Sequence, residues 1–358
     1  MKKIIAALVL FVCDGLFMFL FKSFPDTFFP YYRDLSKRWI AFLSVLTSPL
    51  KVAVWDIGFV ILVVIAVISA IRVIIRKRSF LNYLSSLVLT VSVLCFIAVN
   101  GWMLNHYAPR IGKELSLEVK QYSYEELYET TGYYLTKAEE SALHVQRDEE
   151  GHLLKSDFDE LSAIAGASYE KLAGKYGLFK GSNVRVKRLS VAGEYLMYNG
   201  IVGMFMPITG EAGVPASVPE APLCFTMAHE AAHRLGLAKE EEANFAAFLA
   251  CAESEDPRFV YSAYYNAFSY CFSALYKIDA KKAMELYESH EGRAHELLKL
   301  DRRDTAETYA KYDSPLQDVS DQINDTYLKT FDEESGIRSY GEVVDYLIAW
   351  HLKYDGKE

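Results

Sequence analysis

The sequence is short of positive charge, of patterned cysteines and of repeats, and each shortage removes a class of protein. Its 38 Lys and Arg are outnumbered by 47 Asp and Glu, a formal net charge of −9. Nucleic-acid binding, which needs a basic face to neutralise phosphates, is therefore a poor reading. The five cysteines stand at spacings that match no metal pair or redox motif. Cys13 and Cys95 fall in apolar segments, and Cys224, Cys251 and Cys271 read as core thiols. There is no internal repeat and no low-complexity tract. Disorder is excluded by what is abundant: 51% hydrophobic and 14% aromatic residues over 358 positions, with a mean hydropathy of +0.05. That is too apolar for an ordinary soluble chain, and long enough for more than one structural unit.

The net charge hides a division. Up to His106 there are eleven Lys and Arg against four Asp, or +7; the remaining 27 bases and 43 acids give −16. The basic part, 1–106, reads as a membrane region, and 107–358 as a separate acidic domain. Segments 4–21, 52–75 and 84–104 are each close to the ~20 residues that cross a bilayer as a helix. Asp14, Asp56, Arg72 and Asn100 interrupt them. Charges near the ends can snorkel, but Asp14 should face other helices or water. Lys2 and Lys3 before an apolar run suggest a signal peptide, yet no small-residue cleavage site follows, so the segment reads as an uncleaved anchor. Phe11 and Val12 are too large for a lipoprotein signal ending at Cys13. The aromatic and basic stretch 25–50 reads as interfacial, with 38–46 as a short amphipathic helix. Lys2, Lys3 and the triplet Arg76, Lys77, Arg78 favour a cytoplasmic N-terminus, which places the acidic domain outside the cytoplasm after three crossings.

The acidic part is patterned mainly as helix, at 136–147, 157–173, 240–254, 257–278 and 280–300. The exception is 183–208, where Asn199-Gly200 between apolar runs signals a β-hairpin. A Gly/Pro-rich loop, 209–222, then leads to the next helix. The expected fold is an α-helical membrane anchor plus an α+β domain, mainly helical, with a small antiparallel sheet before that helix.

The chemistry is concentrated there. His229 and His233 are four apart, so one helix face projects both imidazoles a turn apart, as two metal ligands require. Glu230 follows the first and can act as general base without being a ligand. Gly236 is placed to end the helix. A zinc site needs a third protein ligand; Lys239 stands where a third histidine would, so a carboxylate from Glu240-Glu241-Glu242 must serve. Glu240 shares a face with Asn244, which would orient a ligand from behind; Glu242 is the alternative. The Glu run also suits a helix N-terminus. His295-Glu296 mimics half the motif, but Lys299 replaces the second histidine, so that pair reads as surface.

HEAAH followed by EEEAN resembles the gluzincin peptidases, in which a glutamate from a later helix completes a HExxH site. The string 240–247 is similar to the E-x-x-A-N string of the ImmA/IrrE-like zincins. In the membrane-anchored zincins related to prenyl-protein and heat-shock proteases, that glutamate stands four before an Asp or Asn. The whole chain also resembles a bacterial family catalogued as a domain of unknown function, through Pro207, Thr209-Gly210-Glu211-Ala212, His229 to His233, Gly236, Glu240 to Phe245, and the closing stretch 339–344. That family has no activity to lend; zinc and proteolysis are implied through the broader gluzincins.

The expectation is a multi-pass protein of the bacterial cytoplasmic membrane, a zinc-dependent metallopeptidase acting on a peptide or protein substrate. A Zn2+-activated water would attack, with Glu230 as general base. The strand 201–208 would align the substrate by edge pairing. Tyr198, Tyr261 and Tyr340 are oxyanion candidates, and Glu211 is a candidate for a substrate amine or a turn cap. The alternative is an inactive zincin-fold receptor or scaffold that binds peptides. A small transporter or channel is disfavoured, because three crossings with one interior charge provide little pathway.

Overall fold

The computed structural model describes residues 2–75, 79–331 and 342–355. Three of its helices, α1 (Lys2–Ser23), α3 (Val54–Ile75) and α4 (Phe80–Gly101), are long and apolar enough to cross a membrane. Each has 22 residues, about 33 Å at 1.5 Å per residue. The polar interruptions find partners. Asn100 Nδ2 donates to Asp14 Oδ1 at 2.7 Å, so the buried carboxylate of α1 lies level with the end of α4 and faces that helix. Asp56 does not snorkel. It is buried in the first turn of α3, and its carboxylate accepts from the amides of Ser190, Val191 and Ala192 at 2.7–2.8 Å.

The stretch between the first two spans is one continuous helix, α2 (Pro25–Thr47), rather than a short segment over 38–46. Pro25 starts it at a position where the missing N–H costs nothing. Phe29, Tyr32, Ser36, Ile40 and Ser44 recur at three-and-four spacing and are buried. Leu35, Phe42 and Leu46 remain exposed.

After a 3₁₀ turn (Met103–Tyr107) the acidic part folds as α5 (Tyr124–Ala142), α6 (Phe158–Ala167), α7 (Glu170–Lys175), β1 (Lys187–Leu189), α8 (Gly193–Tyr198), β2 (Met204–Met206), β3 (Glu211–Pro215), α9 (Glu220–Arg234), α10 (Glu240–Ala252), α11 (Pro257–Ile278), α12 (Ala280–Glu288), α13 (Arg293–Ala310), α14 (Leu316–Thr330) and α15 (Val343–Trp350). The fold is mainly helical with one small sheet. The helix expected over 136–147 begins earlier, because Ser123 and Glu126 form a capping box. The one expected over 157–173 breaks after Ala167, and that over 280–300 ends at Glu288 and restarts at Arg293 after Gly292, whose φ is +96°. The aromatic helix from Pro257 spans 257–278 as expected, with Phe259, Tyr261, Phe268 and Phe272 buried in the core.

The hairpin lies elsewhere than Asn199-Gly200. Residues 193–198 are helical, and Gly200 adopts φ +73° as the left-handed residue that closes α8. Its amide bonds the Met197 carbonyl, and that of Ile201 bonds the Leu196 carbonyl, both at 2.9 Å, a Schellman close. The same positive φ that suits a two-residue turn thus serves a helix end. The reversal comes at 207–210, with Gly210 at φ +67°, and pairs β2 with β3. The sheet is mixed rather than antiparallel, because β1 joins β3 in parallel, giving the order β1-β3-β2.

The N-terminal part, through α2 and the residue after α4, shares a core with the acidic part. Ile40 of α2 and Trp102 belong to the same apolar cluster as Leu127, Phe205, Met227, Phe245 and Phe268. Buried polar ties reinforce it. Glu211 accepts from the amides of Val54 and Trp55 at the start of α3, at 2.9 and 3.1 Å. Lys187 donates to the carbonyls of Thr47 and Leu50, and Ser44 donates to that of Gly210 at 2.6 Å. All five cysteines are free, with Cys224, Cys251 and Cys271 buried. Asp56→Ala leaves three amides without an acceptor and should cost about 3 kcal/mol. In a part of this size that lowers Tm by roughly 6–12 °C in detergent, a shift that thermal unfolding followed by circular dichroism will read.

Candidate metal centre

Helix α9 is almost wholly buried, and its last two turns carry His229, Glu230 and His233. Gly236, at φ +87°, closes it as the left-handed residue of a second Schellman turn: its amide bonds the His233 carbonyl at 2.9 Å, and that of Leu237 bonds the Ala232 carbonyl at 3.2 Å. The reversal brings the first residue of α10, Glu240, back over the histidines. The two Nε2 atoms are 3.0 Å apart. Glu240 Oε2 is 3.3 Å from that of His229, and Oε1 is 3.6 Å from that of His233. Among the described residues, this is the single group of three or more His, Cys, Asp and Glu side chains close enough to hold one ion.

The donor set fits zinc. Bonds of about 2.0–2.1 Å in tetrahedral array separate neighbouring ligand atoms by roughly 3.3 Å, and the observed separations of 3.0, 3.3 and 3.6 Å are near that value, with a different oxygen of Glu240 facing each imidazole. His233 Nδ1 lies 2.7 Å from the Leu237 carbonyl, a bond that places its proton on Nδ1 and leaves Nε2 as a lone-pair donor. Two buried atoms in the cluster, His229 Nδ1 and Glu230 Oε2, have no hydrogen-bond partner among the described residues.

Charge follows burial. Burial, with the Glu240 carboxylate nearby, pushes the Glu230 carboxyl up to about 8, although His229 pulls the other way. Burial would also raise Glu240, but the imidazoles of His233 and His229 overcome it and hold this group at about 2. Burial lowers His233 to about 4 against the pull of Glu240. The backbone of Gly203, just before β2, stands against Glu230: a Cβ there would come within 2.3 Å of Oε1.

The acidic run separates three ways. Glu240 joins the histidines. Glu241 pairs with Arg110. Glu242 turns away and accepts from the Ile111 amide at 3.0 Å and the Tyr346 hydroxyl at 3.2 Å. Asn244 accepts from the Tyr270 hydroxyl at 3.1 Å, and its side chain lies beside His229. Lys239 points to the Ala108 carbonyl.

A single family description matches most of the chain, residues 31–348: "Protein of unknown function (DUF3810)". The chain belongs to that family. The matched residues include most of α2, all of α3 and α4, and the whole His229–Glu240 cluster. No curated protein and no solved structure matches the chain.

In this DUF3810 member, other sequence candidates lie elsewhere. Glu211 is buried as the cap of α3 and is not placed for a substrate amine. Tyr198 packs edge-on against Tyr312. Tyr261 donates to Asp301 within the core. Tyr340 and the triplet Arg76, Lys77, Arg78 lie outside the described residues. His295 is not surface; it is buried against Glu139, with 2.7 Å between Nδ1 and Oε1. Two residues around the cluster escape sequence reading. Trp102 donates its indole N–H to the His233 carbonyl at 2.8 Å. His106, buried and pulled down to about 3 by burial, lies beside Glu240, stacks on Phe331 and has Nε2 2.9 Å from the Tyr327 hydroxyl. A Trp and a His just past a span look like interfacial residues, and nothing local ties them to a motif 131 positions on.

Metal analysis of purified full-length protein should find about one zinc per chain. His233→Ala should abolish it, and Glu240→Ala should weaken binding by at least tenfold, whereas Glu242→Ala should keep the metal while losing stability. In metal-stripped protein the fold favours neutral Glu230, whose carboxyl stands at about 8 against an unfolded value near 4.5. Stability therefore falls as pH rises from about 4.5 to about 8. Glu230→Gln should remove that component of the slope, read as Tm against pH for both proteins.

Proposed function

We propose that the protein is a membrane-anchored zinc metallopeptidase, with its site built by His229, His233 and Glu240 and with Glu230 as general base. The observation that carries this reading is the near-tetrahedral set of separations at the histidines and Glu240, with a buried, partly unsatisfied Glu230 beside it. The resemblance of HEAAH and EEEAN to the gluzincins supports the same assignment. Zinc held there supplies a Lewis acid for a peptide carbonyl and lowers the pKa of water. Glu230 receives a proton during attack and returns it to the departing amine. His233 is fixed by Leu237, and Asn244 steadies His229. Strand β2 is the edge of the sheet, and an extended peptide pairing there lies beside Gly203 and hence beside Glu230.

The same reading places the protein in a bacterial cytoplasmic membrane with the acidic part outside the cytoplasm. In support, Lys3 meets Ser86 and Asp14 meets Asn100, so α1 and α4 run in the same direction, and Lys2, Lys3 and the start of α4 share the side opposite the acidic part. A reporter fused to the C-terminus should be active only in a form that works outside the cytoplasm.

Glu230→Gln should retain zinc and lower turnover by about 10²–10⁴-fold. Comparing protein N-termini from cells carrying the unmutated chain and the variant should reveal substrate cuts that vanish with the variant. Identical sets of N-termini, with the biological output intact, would favour a non-catalytic peptide-binding receptor.

A further inference from the structure

Very little chain separates the lipid-facing surface of the spans from the His229–Glu240 cluster. Trp102 immediately follows α4, and its indole N–H bonds the carbonyl of His233. On α3, Asp56 holds the amides that open α8, while Ile57 and Phe59, one and three residues further on, are already exposed. Glu211 of β3, the strand that pairs with β2, binds the first amides of that same helix. Two separate helices therefore fix the sheet and the end of α9 against the start of the apolar surface. His233 therefore lies within the reach of one tryptophan side chain plus one hydrogen bond, roughly 11 Å, of the end of α4.

We propose that the polypeptide taken by this site is itself anchored in the bilayer, and that the segment presented lies within about three to six residues of its own span. The inference rests on the peptidase reading and names its substrate class. An extended chain advances about 3.3 Å per residue, so roughly 11 Å is covered in three residues, and tilt or slack adds a few more. A segment held in the same membrane is confined to the thin layer in which the site lies, which raises its local concentration over that of a free peptide at equal bulk concentration. A free peptide gains nothing from that confinement, and the bilayer obstructs one side of its approach.

The test uses full-length, zinc-loaded Glu230→Gln protein in phosphatidylcholine–phosphatidylglycerol vesicles. The probe is a polyleucine span followed by thirty residues of mixed Gly, Ser, Leu, Lys and Phe, with one photo-crosslinking residue moved along it. Crosslinks to residues around β2 and α9 should peak at positions three to six after the span. The same thirty residues without the span should crosslink at least tenfold less at equal bulk concentration. An even spread of crosslinks along the probe, or equal yield without the span, would overturn the proposal. Crosslinks in the expected register, with no cut by the unmutated zinc-loaded protein, would remove the peptidase reading and leave the anchored polypeptide as the occupant.

Discussion

The carbonyl oxygen of His233 is where the two parts of the chain meet. It sits at the C-terminal end of α9, where backbone acceptors have no partner within the helix. One of its lone pairs takes the Gly236 amide that turns the chain towards Glu240; the other takes the indole of Trp102. The first bond sets where the carboxylate lands relative to the imidazoles. The second ties that geometry to the end of an apolar helix. A single oxygen thus links the local turn that assembles the cluster to the segment that holds the protein in place, and the core shared by Ile40, Trp102 and the acidic part grows around it.

The buried carboxylates sort by what they accept. Asp56 takes three backbone amides, Glu211 two, and Glu242 an amide and a hydroxyl. Each is matched to fixed donors and holds elements together, at the N-terminal ends of α8 and α3 in the first two cases. Glu230 and Glu240 are different. They face imidazoles and each other, their acidities are driven apart, and Glu230 keeps one oxygen with no partner among the described residues. Unlike environments for neighbouring acids are what proton-transfer chemistry requires.

The parts of this arrangement that could be read from sequence are those governed by short-range periodicity. Four-residue spacing puts His229 and His233 on one face, and the glycine after them ends the helix, so Glu240 returning to them was within reach of the pattern. The pairing of Asp14 with Asn100 was not, because it depends on which spans pack together. Glu211 looked like a loop acid available to substrate; only the position of α3 shows it to be a cap. Asn199-Gly200 was misplaced for a sharper reason. Positive φ at glycine is shared by tight hairpins and helix ends, and the leucine and methionine at 196 and 197 fill either one. Trp102 and His106 carry no local pattern at all, since their partners are more than a hundred residues away.

A helix of about 33 Å slightly exceeds the ~30 Å hydrocarbon thickness of a typical bilayer, and such an excess is taken up by tilt. Tilting α4 swings its far end, and that end is Trp102. In a bilayer, a change of thickness would therefore bear on the last turn of α9 through the bond from Trp102 to the His233 carbonyl.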